Sequence, residues 1–286
     1  MIIYKKYNRQ ELDLQYNNRF HVPDFENYLQ RWENLSSNAL NGHKAIKDIP
    51  YGAKSRECLD VFSSQTPFSK TLVFIHGGYW QRFDKSSFRF IATAFAGYGI
   101  TTVLMNYPLS PGNSIDQIVE SCCRAMEWIH HNIAALNGDA AQIYIAGHSA
   151  GAHLAAMLMT VEKGQSHKTS IRGICAISGL FNLIPLQLSN INDVLQMDQE
   201  TAIRNSPAFK EPIELCPLLI AVGSAETNEF LDQSRELNNR WKNKTSSAEL
   251  VIMAGLNHFS VLDSFCDATS VLHKSMCKLM KIQQNI

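Results

Sequence analysis

The sequence lacks any surplus of charge. Lysine and arginine number 26 and aspartate and glutamate 26 in 286 residues, so the formal net charge is zero. That balance argues against a nucleic-acid partner, which calls for a basic surplus. It also gives no electrostatic reason to dock on an anionic membrane. No apolar run approaches the roughly 18 residues of a membrane span. The opening Met1-Ile2-Ile3-Tyr4-Lys5-Lys6 leads into polar sequence through Phe20, with no apolar stretch behind it, so no signal peptide is expected. None of the seven cysteines stands in C-x-x-C spacing. Their odd number further disfavours a disulfide framework or a zinc ribbon. The expectation is a reducing, cytoplasmic setting with cysteines as small core residues. There is no Walker loop and no G-x-G-x-x-G after a strand, so no cofactor is expected. Nor is a metal. The adjacent pairs His130-His131 and Cys122-Cys123 would point apart on a helix, and His148 and His153 stand five apart rather than three or four.

What is present is apolar material, 45% of residues, enough for a sizeable core. Residues 1–40 are polar with helical spacing at Glu11–Tyr16 and Phe25–Leu35, and Asp24 is placed to cap the second stretch. Ala45–Ile49 and Cys58–Phe62 then alternate as two strands of an edge hairpin. From Thr71 short apolar runs recur between helical stretches. Strands are expected at 72–75, 101–105, 142–146, 171–177, 218–222 and 249–252. Helices should start near Asp84 and span 115–136, 150–161, 226–241 and 261–280. Strands alternating with helices predict an α/β fold: a mostly parallel central sheet with helices on both faces. One domain is expected over residues 1–286. Residues 1–40 form a helical extension, and 180–214, where the alternation fails around Pro185, Pro207 and Pro212, form a small lid or connection.

Chemistry concentrates at Gly147-His148-Ser149-Ala150-Gly151, between a strand and a helix. In that context G-x-S-x-G marks a strained turn that lifts a nucleophilic serine above the sheet. His76-Gly77-Gly78-Tyr79-Trp80 follows the strand at 72–75. Such a loop can aim backbone N–H groups at a developing oxyanion, and Gly78, Tyr79 and Ala150 are the expected donors. His76 reads as structural. A serine needs a base and the base an orienting carboxylate, in the chain order serine, acid, histidine. His258, in a loop between the last strand and the last helix, fits the base. His167 falls in a polar loop and His273 inside the last helix, where it reads as a surface residue. Glu226, three residues after Gly223, fits the acid, with Glu229 as the runner-up. Trp80, Phe181 and Phe259 are candidate substrate contacts beside Tyr79, forming an apolar wall, although Trp80 taken alone reads first as a packed aromatic.

These residues carry a resemblance. The chain resembles the arylformamidase (kynurenine formamidase) group of the α/β-hydrolase fold, which is related to hormone-sensitive-lipase-like esterases. The resemblance spans nearly the whole chain: Glu11-Leu12-x-x-Gln15-Tyr16, Ile49-Pro50-Tyr51-Gly52, Leu59-Asp60-Val61-Phe62, His76 to Gln81, Gly147 to Leu154, Ser178-Gly179 and Arg204-Asn205-Ser206-Pro207. The tryptophan-bearing HGGYWQ loop is its most specific part, since lipase-like relatives usually carry HGGG there. The resemblance implies a serine hydrolase that deformylates N-formyl-L-kynurenine to L-kynurenine and formate. The sequence departs from the group at Glu226, where an aspartate is usual, and at Asn182, where an aspartate is frequent. Two alternatives stand beside this expectation: a broad short-chain carboxylesterase, and a non-catalytic binding protein on the same scaffold. The expected partner is a small aryl formamide or ester, and a homodimer is left open.

Overall fold

A buried strand must pair its backbone polar groups with neighbours, and the apolar runs do so in one sheet. The computed structural model describes residues 1–161 and 171–282. The chain opens with helices α1 (Arg9–Gln15), α2 (Asn18–His21) and α3 (Phe25–Gly42), followed by strands β1 (Ala45–Pro50), β2 (Cys58–Phe62) and β3 (Ser69–Ile75). Then come α4 (Phe90–Ala96), β4 (Thr101–Met105), α5 (Ile115–Asn132), β5 (Gly138–His148), α6 (Ala150–Met157) and β6 (Ile171–Ile177). Short helices α7 (Ile184–Gln187), α8 (Asn192–Leu195) and α9 (Gln199–Arg204) lead to β7 (Leu218–Gly223), α10 (Asn228–Trp241), β8 (Ala248–Met253), α11 (Ser260–Cys266) and α12 (Val271–Leu279). Among the described residues the sheet has eight strands in the order β1-β2-β4-β3-β5-β6-β7-β8. The edge pairs β1·β2 and β2·β4 are antiparallel; the other five pairs are parallel.

Side chains alternate across a strand, and here each face finds its own helices. Val73 and Ile75 of β3 join a core with α5, α6 and α10. Leu72 and Phe74, one residue out of step, join a second core with α3, α4, α11 and α12. The chain leaves β3 toward the α4 face and leaves β5 toward the α6 face, and the two strands are neighbours, with Ile75 paired to Gly147. Connections that part to opposite faces open a crevice at the carboxyl ends of the strands between them. The two glycine-rich loops of the sequence border that crevice.

Several local expectations needed correction. The stretch 261–280 is two helices, because polar side chains between them bond the backbone instead of letting the helix run on. Asp267 Oδ1 accepts from Thr269 N–H at 2.8 Å, and Ser270 Oγ accepts from His273 N–H at 3.0 Å to start α12. Asp24 makes no side-chain cap to α3. The helix after β7 begins at Asn228 rather than Glu226. His273 is buried rather than on the surface, stacked on Phe95 with ring centroids 4.8 Å apart. His167, with the loop around it, lies outside the described residues. The 180–214 connection starts deep in the α5–α6–α10 core, where Leu180, Phe181, Leu183 and Leu186 are fully buried. None of the seven cysteines forms a disulfide, and no helix among the described residues is long and apolar enough to cross a membrane.

Two core histidines set an acid limit on stability. His76 lies with its ring 4.5 Å from that of Tyr107, and its Nδ1 is 2.8 Å from the Gly77 carbonyl. His153 Nε2–H donates to the Asn205 carbonyl at 2.7 Å. Burial pushes each imidazole down to about 4. An unfolded histidine binds its proton near pH 6.5, so below that pH the unfolded state gains protons the folded state refuses. Stability should therefore be full above pH 6.5 and fall as pH drops toward 4, by roughly 2.5 kcal/mol per histidine at about pH 4.5. Urea unfolding midpoints measured between pH 7.5 and 4.5, in His153→Gln beside the wild type, check this. The variant should show a shallower decline.

Candidate active site

The turn between β5 and α6 is built by exclusion. Ser149 has φ 58° and ψ −120°, a region that residues with a side chain rarely occupy. The flanking glycines permit it. A Cβ on Gly147 would lie 2.2 Å from the Gly151 carbonyl oxygen. One on Gly151 would lie 2.0 Å from the Ile75 carbonyl oxygen and 2.6 Å from that of His76. The spacing G-x-S-x-G is thus the condition for α6 to start directly against the end of β3. Ser149 N–H donates to the Ile177 carbonyl at 2.8 Å, which ties the turn to β6. The serine side chain faces a cleft of about 330 Å³ that it shares with His258.

His258 sits in the turn after β8, with Nδ1 2.7 Å from Glu226 Oε2. A carboxylate oxygen facing Nδ1 fixes the proton there and leaves Nε2 free to accept one. The Glu226 carboxylate is wholly shielded from solvent. Its other oxygen accepts from Ser178 Oγ–H at 2.5 Å and from the Gly223 N–H at 2.8 Å. Three donors therefore hold it in the turn after β7. Glu229, one helical turn on, faces elsewhere: it takes Lys5 Nζ at 3.0 Å and the Tyr16 hydroxyl at 3.3 Å. Geometry thus separates the two carboxylates that the sequence leaves open. In the sequence Ser178 stands out only by its pairing with Gly179. Its position at the end of β6, with φ 51°, aims its hydroxyl at Glu226.

His148 supports the base from the other side. Its Nε2–H donates to the His258 carbonyl at 2.8 Å, and the two rings lie 4.7 Å apart. Burial, then the neighbouring His258, hold the His148 imidazole well below its ordinary range. It stays neutral and keeps the proton on the nitrogen that the carbonyl needs.

Gly78, Tyr79 and Trp80 all have positive φ, at 109°, 52° and 58°. The loop turns back on itself, with the Gly78 carbonyl accepting from Gln81 N–H at 3.0 Å and Arg82 N–H at 3.1 Å. A Cβ on Gly78 would lie 2.5 Å from the Arg82 carbonyl oxygen. Among the described residues no hydrogen bond takes up the N–H of Gly78 or Tyr79. Ala150 opens α6, where the first N–H groups have no acceptor within the helix. The Tyr79 hydroxyl donates to the Tyr16 carbonyl at 2.7 Å, pinning the loop to the N-terminal segment.

Of the three expected aromatic contacts, only Phe259 lines the cleft. Trp80 is fully buried, edge-on to His153 at 4.9 Å. Its left-handed backbone turns the indole under the loop, away from the opening. Phe181 is fully buried too, its ring packed where a Cβ on Gly179 would fall, 2.1 Å away. The wall is instead made by Tyr16, Trp32, Phe83 and Phe88 with Phe259, and polar or charged groups come from Asn17, Asn18, Arg19, Gln81 and Arg82. Asn190, Ile191 and Val194 supply the contribution of the 180–214 connection. Among the described residues no group of three or more His, Cys, Asp or Glu side chains is placed to hold a metal ion.

Residues 72–262 match a family described as having the alpha/beta hydrolase fold. The kynurenine formamidase of Danio rerio is 28% identical over 291 aligned residues, covering 97% of this chain and 98% of that protein. That of Salmo salar is 28% identical, covering 91% of this chain and 88% of its own length. The crystal structure of a candidate thioesterase from a Silicibacter species has a TM-score of 0.83 at 31% identity, over 92% of this chain and 97% of that one. The chain belongs to the alpha/beta hydrolase family, as a hydrolase similar over nearly its whole length to kynurenine formamidases.

Proposed function

We propose that the chain is a serine hydrolase that removes the formyl group from N-formyl-L-kynurenine, in a reducing, cytoplasmic setting. The observation that carries the reading is the Glu226–His258 pair, 2.7 Å apart, in the same cleft as Ser149 on its strained turn. Similarity to the Danio and Salmo proteins along the whole chain supports the formamide as substrate. An aryl ring fits a wall of Trp32, Phe88 and Phe259.

In this reading His258 Nε2 takes the Ser149 proton as the hydroxyl oxygen attacks the formyl carbon. Glu226 holds the imidazole tautomer and stabilises the imidazolium. The oxyanion receives the N–H groups of Gly78, Tyr79 and Ala150, each worth about 3 kcal/mol to the transition state. His258 then gives its proton to the departing aryl amine as the C–N bond breaks, leaving a formyl ester on Ser149. A water molecule, deprotonated by His258, releases formate and restores the serine. A broader acyl hydrolase, of short esters or thioesters, is the second reading, supported by the likeness to the Silicibacter candidate thioesterase.

Side-by-side turnover of N-formyl-L-kynurenine and p-nitrophenyl acetate tests the choice. A higher kcat/KM for the formamide is the expected result. Fast ester cleavage with negligible deformylation would move the chain to the second reading. Ser149→Ala should fold normally and lose at least about 10³-fold in kcat, and labelling by a fluorophosphonate should disappear with it. Retained turnover or labelling in that variant would overturn the serine's role. Glu226→Gln should lower kcat on the order of 10³- to 10⁴-fold, since the amide no longer enforces the tautomer. Glu229→Gln should keep most of the turnover and lose roughly 1–2 kcal/mol of stability with its half-exposed Lys5 partner. Equal kinetic losses in the two variants would refute the assignment of the acid.

A further inference from the structure

Among the described residues, the charged side chains that line the cleft are of one sign: Arg19 and Arg82, with no aspartate or glutamate. The whole chain is balanced at 26 against 26, so this is a local excess. Among the described residues no ion pair engages either arginine, whereas the nearby Arg56 and Arg89 are committed to Asp84 and Asp60. The two guanidiniums are close enough for the Arg82 charge to help lower the Arg19 pKa, after burial as the main cause; Glu26 opposes this more weakly.

Both side chains hang on parts of the site that are held in place. Arg82 is the residue whose carbonyl closes over Gly78, so its Cα is fixed relative to the proposed oxyanion donors. The Arg19 guanidinium lies over the Phe25 ring, 4.8 Å from its centroid. Phe25 in turn lies 6.1 Å from Phe259, the aromatic next to His258. Two like charges at one opening repel each other, and a shared anion between them relieves that repulsion.

We infer that Arg19 and Arg82 are the side chains that receive a carboxylate carried away from the scissile bond, on the leaving side of an aryl amide or ester. This rests on the reading of the cleft as a serine-hydrolase site and adds which residues hold the amino-acid carboxylate that N-formyl-L-kynurenine carries on that side. The arginines are binding residues that set specificity; the bond-breaking steps are those already described.

The test uses 3-acetoxybenzoate and its methyl ester, which share the acetyl ester and differ by one charge. In the wild-type chain the kcat/KM ratio of acid to methyl ester should exceed one at low salt. It should fall as sodium chloride is raised to about 0.5 M, because exposed charges are screened. Arg19→Gln and Arg82→Gln should each lower the ratio about five- to tenfold, through the KM of the acid, as expected for loss of a charge-assisted hydrogen bond at an open site. Lysine at either position should restore part of it. A ratio unchanged in both single variants and in the double variant overturns the inference, and so does an equal fall for both esters. Affinities of Ser149→Ala for the two esters give the same ratio without turnover, so a slow ester still decides the matter. N-formyl-L-kynurenine is assayed in parallel. No deformylation with an arginine-dependent ester ratio keeps this inference and removes the formamidase reading. Deformylation with an arginine-independent ratio does the reverse.

Discussion

The site depends on how closely α6 approaches β3. The Gly151 backbone rests where any Cβ would lie 2.0 Å from the Ile75 carbonyl oxygen. Because Ile75 also pairs with Gly147, one contact fixes the strand, the turn and the helix together. It brings the 76–82 loop beside Ser149 without a side chain reaching across. It also directs the first N–H groups of α6 toward the space those two segments share. A methyl group at that point would not merely weaken packing. It would push apart the two backbones whose spacing defines the cleft.

Around that fixed point, neutral and charged groups are kept apart. His76, His148 and His153 are buried with depressed pKa values and each faces a backbone carbonyl. They act as rigid polar connectors. His258 alone among the cleft's imidazoles faces a carboxylate. The position of Glu226 is overdetermined by Ser178 and Gly223, which hold its long side chain against His258.

Much of this was legible in the sequence because it is local. A strand, a glycine-bounded serine and a helix within a dozen residues announce their geometry, and the order of Ser149, Glu226 and His258 follows from the topology. The hairpin and parallel strands read correctly for the same reason, since short apolar runs bounded by turns have few alternatives. What failed was the direction of single side chains. Trp80 follows two residues that also lie outside the usual backbone regions, and three successive unusual φ values cannot be summed from residue types. Phe181 looked like a wall residue, yet the space above Gly179 draws it inward. Trp32 and Tyr16, which do line the cleft, sit more than a hundred residues from Ser149, in a segment whose polar composition suggested only an extension. His273 read as exposed because the break that turns it inward is made by Asp267 and Ser270 bonding the backbone.

The N-terminal segment has a consequence for the order of assembly. Tyr16 gives its carbonyl to Tyr79 and its hydroxyl to Glu229, Gln15 accepts from Thr227, and Lys5 reaches Glu229 and Asp232. Apart from Tyr79, these partners lie more than two hundred residues further along the chain. A ribosome must have released most of the chain before this wall can close, and contacts of such sequence separation are slow to form. Until residues 5–16 reach residues 227–232, the nascent protein carries its serine turn in an open trough.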